Sequence, residues 1–160
     1  YKKPNNWGLK IQSNYTKQYD AGGDEGIIDG QYGTVNWRSG GWQGYQSQNF
    51  ECTIDLKKTT TIQTMSANFL QDTKSWIIYP KEVEFYSSLD GINYSSVGKI
   101  KNSVSADDYT SQVHPFNYII STQLAARYIK IIATNYGKLP DWHQGKGGDA
   151  YLFIDEIEIK

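Results

Sequence analysis

Residues 26 to 37 read GIIDGQYGTVNW, which places a carboxylate at Asp29 and a hydroxyl at Thr34 among glycines that let the backbone turn sharply. Oxygen donors gathered in this way are what a hard cation takes. At the other end, FIDEIEI breaks its own alternation, since Leu152 and Ile154 share one phase while Ile157 and Ile159 take the other. That change of phase predicts a bulge near Asp155-Glu156. The bulge would turn Glu156 sideways and expose the Asp155 carbonyl, so that one cation could tie both ends of the chain. The spacing alone equally allows Asp29 to cap a turn and Glu156 to be a solvated strand residue.

Other reactive groups do not form a catalytic set. Acidic pairs stand at Asp24-Glu25, Asp107-Asp108 and Asp155-Glu156. A glycosidase needs two carboxylates flanking its bond, and neighbours on a strand point to opposite faces. His114 precedes Pro115 with no glycine-framed Ser nearby, and His143 has no matching Cys or Ser motif. The chain reads as a binding module, not an enzyme.

These groups need a frame, and the pattern of the chain says which kind. Phe50, Cys52, Ile54 and Leu56 alternate with polar residues, as do Met65, Ala67 and Phe69, Val83 and Phe85, Ile129, Ile131 and Ala133, and Ile157 and Ile159. Period-two patterning of this sort marks half-buried strands. SLDGINY, from Ser88 to Tyr94, reads as a hairpin turn around Asp90-Gly91. No stretch keeps helical spacing for three turns, and no segment repeats another. The expectation is one all-β domain over residues 1 to 160, a β-sandwich with at most short helical turns.

Three segments resist strand assignment: 20 to 49, 71 to 80 and 135 to 150. Together they hold four of the five Trp residues. Strands of a sandwich mainly build core, whereas loops carry binding groups on a rigid frame.

Composition narrows the partners. The 160 residues carry 16 basic and 17 acidic side chains, a formal net charge of −1, which leaves no field to hold a phosphate backbone. Nucleic acid is therefore not an expected partner. Thirteen Tyr, five Trp and five Phe supply apolar surface with polar edges to a chain only 38% hydrophobic. Cys52 is the single cysteine, so no intrachain disulfide or thiolate metal cluster forms, and its alternating neighbours make it core. No apolar run approaches the about 18 residues that span a bilayer. Tyr1 begins the chain without methionine or signal peptide, and the last residues still look like strand, so the sequence reads as an excised piece of something longer.

IDG followed by Thr and Trp, SLDGINY, ARYIKI and the closing FIDEIEI resemble the discoidin, or coagulation factor V/VIII C-type, domains of the galactose-binding-like superfamily. The resemblance runs over nearly the whole chain. WRSGGWQGYQSQNF, FLQDTKSWIIYPKEVEF and NYGKLPDWHQGKGGDAYLFIDEI are similar, more narrowly, to the C-terminal module of Bacteroides-type β-N-acetylhexosaminidases, or chitobiases. The resemblance implies a jelly-roll-like β-sandwich of about eight main strands that holds one structural calcium. The implied ligands are the side chains of Asp29, Thr34 and Glu156 with the carbonyls of Gly26, Gln31 and Asp155. The sequence departs from the family pattern in having two residues, Val35 and Asn36, between Thr34 and Trp37 where many members have one. It also lacks the end-closing disulfide of many animal members, which leaves calcium as the staple.

A sugar ring presents hydroxyls at its edge and C–H groups on its face, so its receptor needs a flat aromatic beside directional hydrogen-bonding groups. On the loop LQDTKSWIIYP, Trp76 is a stacking candidate with Asp72 as polar neighbour, although it could instead fold back as a lid on the core. NYGKLPDWHQGKGG offers Asn135, Trp142 and His143. RSGGWQGYQ offers Trp42 and Tyr45, with Arg38 as a bidentate donor. Trp37 and Trp7 read as packing residues. The resemblance implies terminal galactose or N-acetylhexosamine as ligand, a parent glycosidase catalytic domain as covalent partner, and a periplasmic, cell-surface or extracellular setting. The isolated domain is expected to be a monomer without membrane insertion. A competing reading makes the loop aromatics an interface on which the module packs against its parent without binding sugar.

Overall fold

The computed structural model describes residues 6–160. Among them are seven strands: β1 (Gly8–Ile11), β2 (Gln43–Gln46), β3 (Phe50–Gln71), β4 (Glu82–Ser88), β5 (Ser95–Lys101), β6 (Gln112–Ala133) and β7 (Tyr151–Ile159). Helical structure is confined to three single 3-10 turns, at Asp24–Ile27, Trp37–Ser39 and Thr73–Ser75. The strands are antiparallel in the order β2-β7-β3-β6-β4-β5, with β1 added to β3.

The count falls one short of the eight expected because β3 and β6, each 22 residues long, serve both layers of the sandwich. The first half of β3 pairs with β1 and with the second half of β6, while its second half pairs with β7 and the first half of β6. Between the halves the register slips at Asp55/Thr60 and again at Ile62/Thr64. The slip is built locally: Lys57 takes a positive φ of 74°, and its amide donates to the Asp55 carboxylate at 2.8 Å. Asp55 also receives a two-pronged contact from Arg127 on β6, at 2.9 and 3.1 Å. Bulged strands bend and twist, so the sheet folds over on itself here.

The predicted alternation holds where it was read. Phe50, Cys52, Ile54, Met65, Ala67, Phe69, Val83, Phe85, Ile129, Ile131, Ala133 and Ile157 are all buried and share one apolar cluster. Members from both halves of β3 meet in that cluster, as two facing layers require. Trp7 packs at its margin. The turn after β4 is the predicted one, with Gly91 at a φ of 76° and the Asp90 carboxylate accepting the amides of Ile92 and Asn93, both at 2.8 Å.

A second cluster lies on the outer side of β3 and β7. Phe69 points into the main core while its neighbour Leu70 joins Trp42, Ile77 and Phe153. The long segment between β1 and β2 covers that outer cluster, contributing Tyr19 and Trp37 to its edge. Trp37 is thus packing, as expected. Among the described residues, only part of the outer face of this layer is covered in this way.

Burial assigns large and small costs to different positions on the same strands. Phe69→Ala is expected to lower the unfolding free energy by about 3–5 kcal/mol, whereas Ile119→Ala, at a side chain 70% exposed, should change it by less than about 0.5 kcal/mol. Urea denaturation of the two variants checks both.

Candidate functional site

The chain reverses between layers through long loops that follow β3, β5 and β6, and their backbone is pinned by Gln71, the last residue of β3, and Thr73 just beyond it. The Gln71 carboxamide donates to the carbonyls of Ser105 and Asp108 and accepts the Tyr79 amide at 3.2 Å. The Thr73 hydroxyl donates to the Ala106 carbonyl at 2.9 Å, and the Thr73 carbonyl meets His143 Nε2 at 2.6 Å. His143 Nδ1 accepts the Gly145 amide at 2.8 Å, so Nε2 carries the proton. Thr73 therefore joins the loop after β5 through its hydroxyl and the loop after β6 through its carbonyl.

This arrangement corrects several expectations. His143 is 2% exposed and both ring nitrogens are engaged, so it positions a loop and offers nothing to a sugar hydroxyl. Asn135, 8% exposed, donates to the carbonyls of Tyr45 and Gln48 and accepts the Gly137 amide. Asp72 is buried and accepts the Ser75 hydroxyl. Trp42 and Tyr45 are core: Trp42 donates its indole N–H to the Thr34 carbonyl at 2.8 Å, and Tyr45 donates its hydroxyl to Gln43. All five were read as ligand groups because polar and aromatic residues outside periodic stretches look alike whether they face inward or outward, and Tyr45 lies in β2, within the segment 20 to 49 that showed no strand pattern.

Trp76 is half-buried at a left-handed φ of 72° and packs on Ile78, Leu139 and Ala150. Its indole lies against two glycines, since a Cβ on either Gly145 or Gly148 would stand 2.6 Å from the ring. The lid reading of this residue is the one observed. Trp142 differs: it is 48% exposed and meets Tyr109, 46% exposed, edge to face with centroids 6.1 Å apart. Tyr109 escaped the sequence reading because DDYTSQ shows only a polar stretch, and nothing in it announces a loop brought beside Trp142.

Arg38 lies elsewhere, exposed, with its guanidinium 4.4 Å over the Trp37 ring. It lines a cleft of about 380 Å³ with Tyr19, Asp20 and Gly40. Trp37 Nε1 is buried there with no hydrogen-bond partner.

The segment 26 to 36 wraps onto β7 at the predicted bulge. Asn68 faces Glu156 and Phe69 faces Ile154, so Asp155 is the extra residue, and Asp155 and Glu156 are both buried although adjacent. The Glu156 carboxylate accepts the Gly30 amide at 2.9 Å, and the Asp29 carboxylate accepts the next amide, Gln31, at 2.9 Å. Asp155, expected to contribute its carbonyl, also uses its carboxylate: it accepts the Gly33 amide at 2.7 Å and the Asn68 side chain at 2.8 Å. Burial pushes the Asp155 carboxyl up to about 7. Gly26 is buried, Gln31 and Thr34 are exposed, and the Thr34 hydroxyl contacts the Asn36 backbone.

The donor set around this turn is oxygen throughout, which fits a hard cation. Among the described residues no three His, Cys, Asp or Glu side chains converge on a metal position. A cation here would therefore draw on hydroxyl and carbonyl oxygens beside Asp29 and Glu156.

The chain belongs to the F5/8 type C domain family, whose sequence profile matches residues 10–150. Three solved structures show where its fold recurs. The module CpGH89CBM32-5 of Clostridium perfringens, in complex with GalNAc-β-1,3-galactose, is 16% identical over 96% of this chain and 94% of its own, with a TM-score of 0.59. The family 32 carbohydrate-binding module of C. perfringens NanJ, in complex with galactose, is 15% identical over 96% and 92%, with a TM-score of 0.58. The C-terminal domain of a Bacteroides fragilis chitobiase is 21% identical over 96% and 92%, with a TM-score of 0.51. At these identities the likeness is one of fold alone. A comparison with curated protein sequences returns no match.

Removing the imidazole that joins two loops should loosen them. His143→Ala is expected to cost about 1–3 kcal/mol, because the Gly145 amide and Thr73 carbonyl lose a buried partner. Hydrogen exchange at the Gly145 amide should rise before global unfolding, with the β3 amides unchanged.

Proposed function

We propose that this domain binds carbohydrate without catalysis, and that Trp142 with Tyr109 forms the face on which a sugar ring stacks. The exposed ring pair, edge to face at an interplanar angle of 62° on pinned loops, carries this reading. A ring stacked on one indole face exchanges C–H surface for apolar contact, and the second ring limits its tilt. Loops already held by Gln71, Thr73 and His143 lose little further freedom on binding. Arg38, in its own cleft beside Trp37, is the candidate bidentate donor for a hydroxyl pair elsewhere on a larger glycan.

The ligand class is a terminal galactose or N-acetylhexosamine of a larger glycan. The fold's recurrence in modules solved with galactose and with GalNAc-β-1,3-galactose supports this choice. Affinity is expected to be millimolar to micromolar, about −4 to −8 kcal/mol. Tethering to a catalytic domain would make such binding useful. A parent β-N-acetylhexosaminidase, working in the periplasm, at the cell surface or outside the cell, is the setting we infer. The similarity to a chitobiase C-terminal domain supports it.

The same reading gives the turn at residues 26 to 36 one structural calcium. Asp29, Thr34 and Glu156 would supply side-chain oxygens, and Gly26, Gln31 and Asp155 carbonyls. What supports this is the wrapping of the turn onto two buried acids of β7. Calcium added after chelation, at about a hundredfold excess over its dissociation constant, should raise the melting temperature by about 5–10 °C. Asp29→Ala should remove that gain, and an unchanged melting temperature in the wild type would end the calcium assignment.

A glycan array tests the binding surface. The wild type should retain glycans ending in galactose or N-acetylhexosamine, Trp142→Ala should weaken binding at least about tenfold, and Arg38→Ala should weaken it with melting unchanged. A blank array with folded protein would favour the alternative, in which the exposed rings pack on a parent catalytic domain.

A further inference from the structure

The described residues cover only part of the outer face of the β7-β3-β6 layer, and the rest of it forms a trough whose shape follows from strand register. Three cross-strand rows can be read from the pairing. Glu156, Asn68 and Pro115 make the first, and Glu158, Ser66 and Asn117 the second. Lys160 and Thr64, which exchange backbone hydrogen bonds at 2.8 and 2.9 Å, begin the third. Directly paired residues project on the same side of a sheet. The alternate residues of β3, Met65 and Ala67, are buried on the other side in the main core.

In the last two rows the central strand carries small residues, Ser66 and Thr64, while longer side chains stand on β7 beside them. The surface therefore sinks along β3. Flanking strands lie about 10 Å apart, twice the interstrand spacing, and rows repeat every about 7 Å. The resulting cavity is about 410 Å³, within the range of small-ligand sites. Tyr32, 51% exposed, stands at its edge from the turn at residues 26 to 36.

The floor is held in place before any ligand arrives. Asn68 is 8% exposed and its amide nitrogen donates to Asp155, which fixes the orientation of the carboxamide. The Gly30 and Gly33 amides hold Glu156 and Asp155 in turn. Among the described residues that line it, the one cation, Lys160, is already paired with Glu158 at 2.8 Å. Among these described lining residues acids outnumber bases, which disfavours an anionic ligand. Neutral hydroxyl and amide groups make up the rest of the floor, with an aromatic ring and Pro115 as apolar surface. Such a lining suits a neutral molecule rich in hydroxyls with C–H faces.

We propose that this trough is a second saccharide site, on the side of the sandwich and separate from the loop aromatics, that accepts a neutral sugar and rejects an anionic one. It shares a ligand class with the loop site but no residue, so either can fail without the other.

The test is a heteronuclear NMR titration of the chain with calcium present, using N-acetylglucosamine and galactose as probes and N-acetylneuraminic acid as the anionic control. A neutral sugar should shift the side-chain amides of Asn68 and Asn117 and the backbone amide of Ser66. Those shifts should persist in Trp142→Ala, which removes the loop site, and the Trp142 indole signal reports that site separately in the wild type. Ser66→Lys, which fills the trough, should abolish the shifts, and Asn117→Ala, at an exposed position, should weaken binding severalfold in a protein of unchanged melting temperature. The proposal is overturned if neither neutral sugar moves these signals at tens of millimolar, near the weak limit of such sites. It is equally overturned if the shifts survive Ser66→Lys, or if N-acetylneuraminic acid produces them as strongly.

Discussion

Long loops without their own strands carry backbone carbonyls and amides that must find partners wherever the loops are buried. In this domain the end of β3 and the 3-10 turn that follows it supply those partners. Gln71 and Thr73 are fully buried, yet between them they bind carbonyls of Ser105, Ala106 and Asp108, the Tyr79 amide and the imidazole of His143. Three loops separated by dozens of residues are thereby given one fixed arrangement. The exposed rings of Trp142 and Tyr109 meet as a consequence, since each is carried by a loop that Thr73 holds. Buried networks of this kind are specific because leaving any member unpaired is costly.

A comparable constraint works on the far strand. The bulge at Asp155 buries two adjacent acids, and a buried carboxylate must be hydrogen-bonded or neutralised. The glycines of residues 26 to 33 bring backbone amides to both. One local irregularity thus draws in a long segment, sets the proposed calcium position and places Tyr32 over the trough. The loop aromatics and the trough are held by different networks.

The frame was legible because strands write their burial into a two-residue period. Phe50, Cys52 and Ile54 are core by that rule, and the change of phase in FIDEIEI located the bulge to the Asp155-Glu156 pair. Loop positions follow no such period. Trp42 and Trp142 look equivalent in sequence, each an aromatic among glycines and polar residues, yet one is 2% exposed and the other 48%. His143 and Asn135 were misread for the same reason: a polar side chain that satisfies buried backbone has the same composition signature as one that awaits a ligand.

The sequence by itself determined the layer architecture, the hairpin at Asp90-Gly91, the bulge and the oxygen-rich turn, because each depends on neighbours within a few residues. Only the tertiary structure decided which aromatics face solvent, that Tyr109 pairs with Trp142, and that Ser66, Asn117 and Glu158 line one trough. Those outcomes depend on cross-strand register and on hydrogen bonds spanning 33 to 70 residues. Contacts at that range are set by the closure of the whole sheet, and leave no periodic trace in the local sequence.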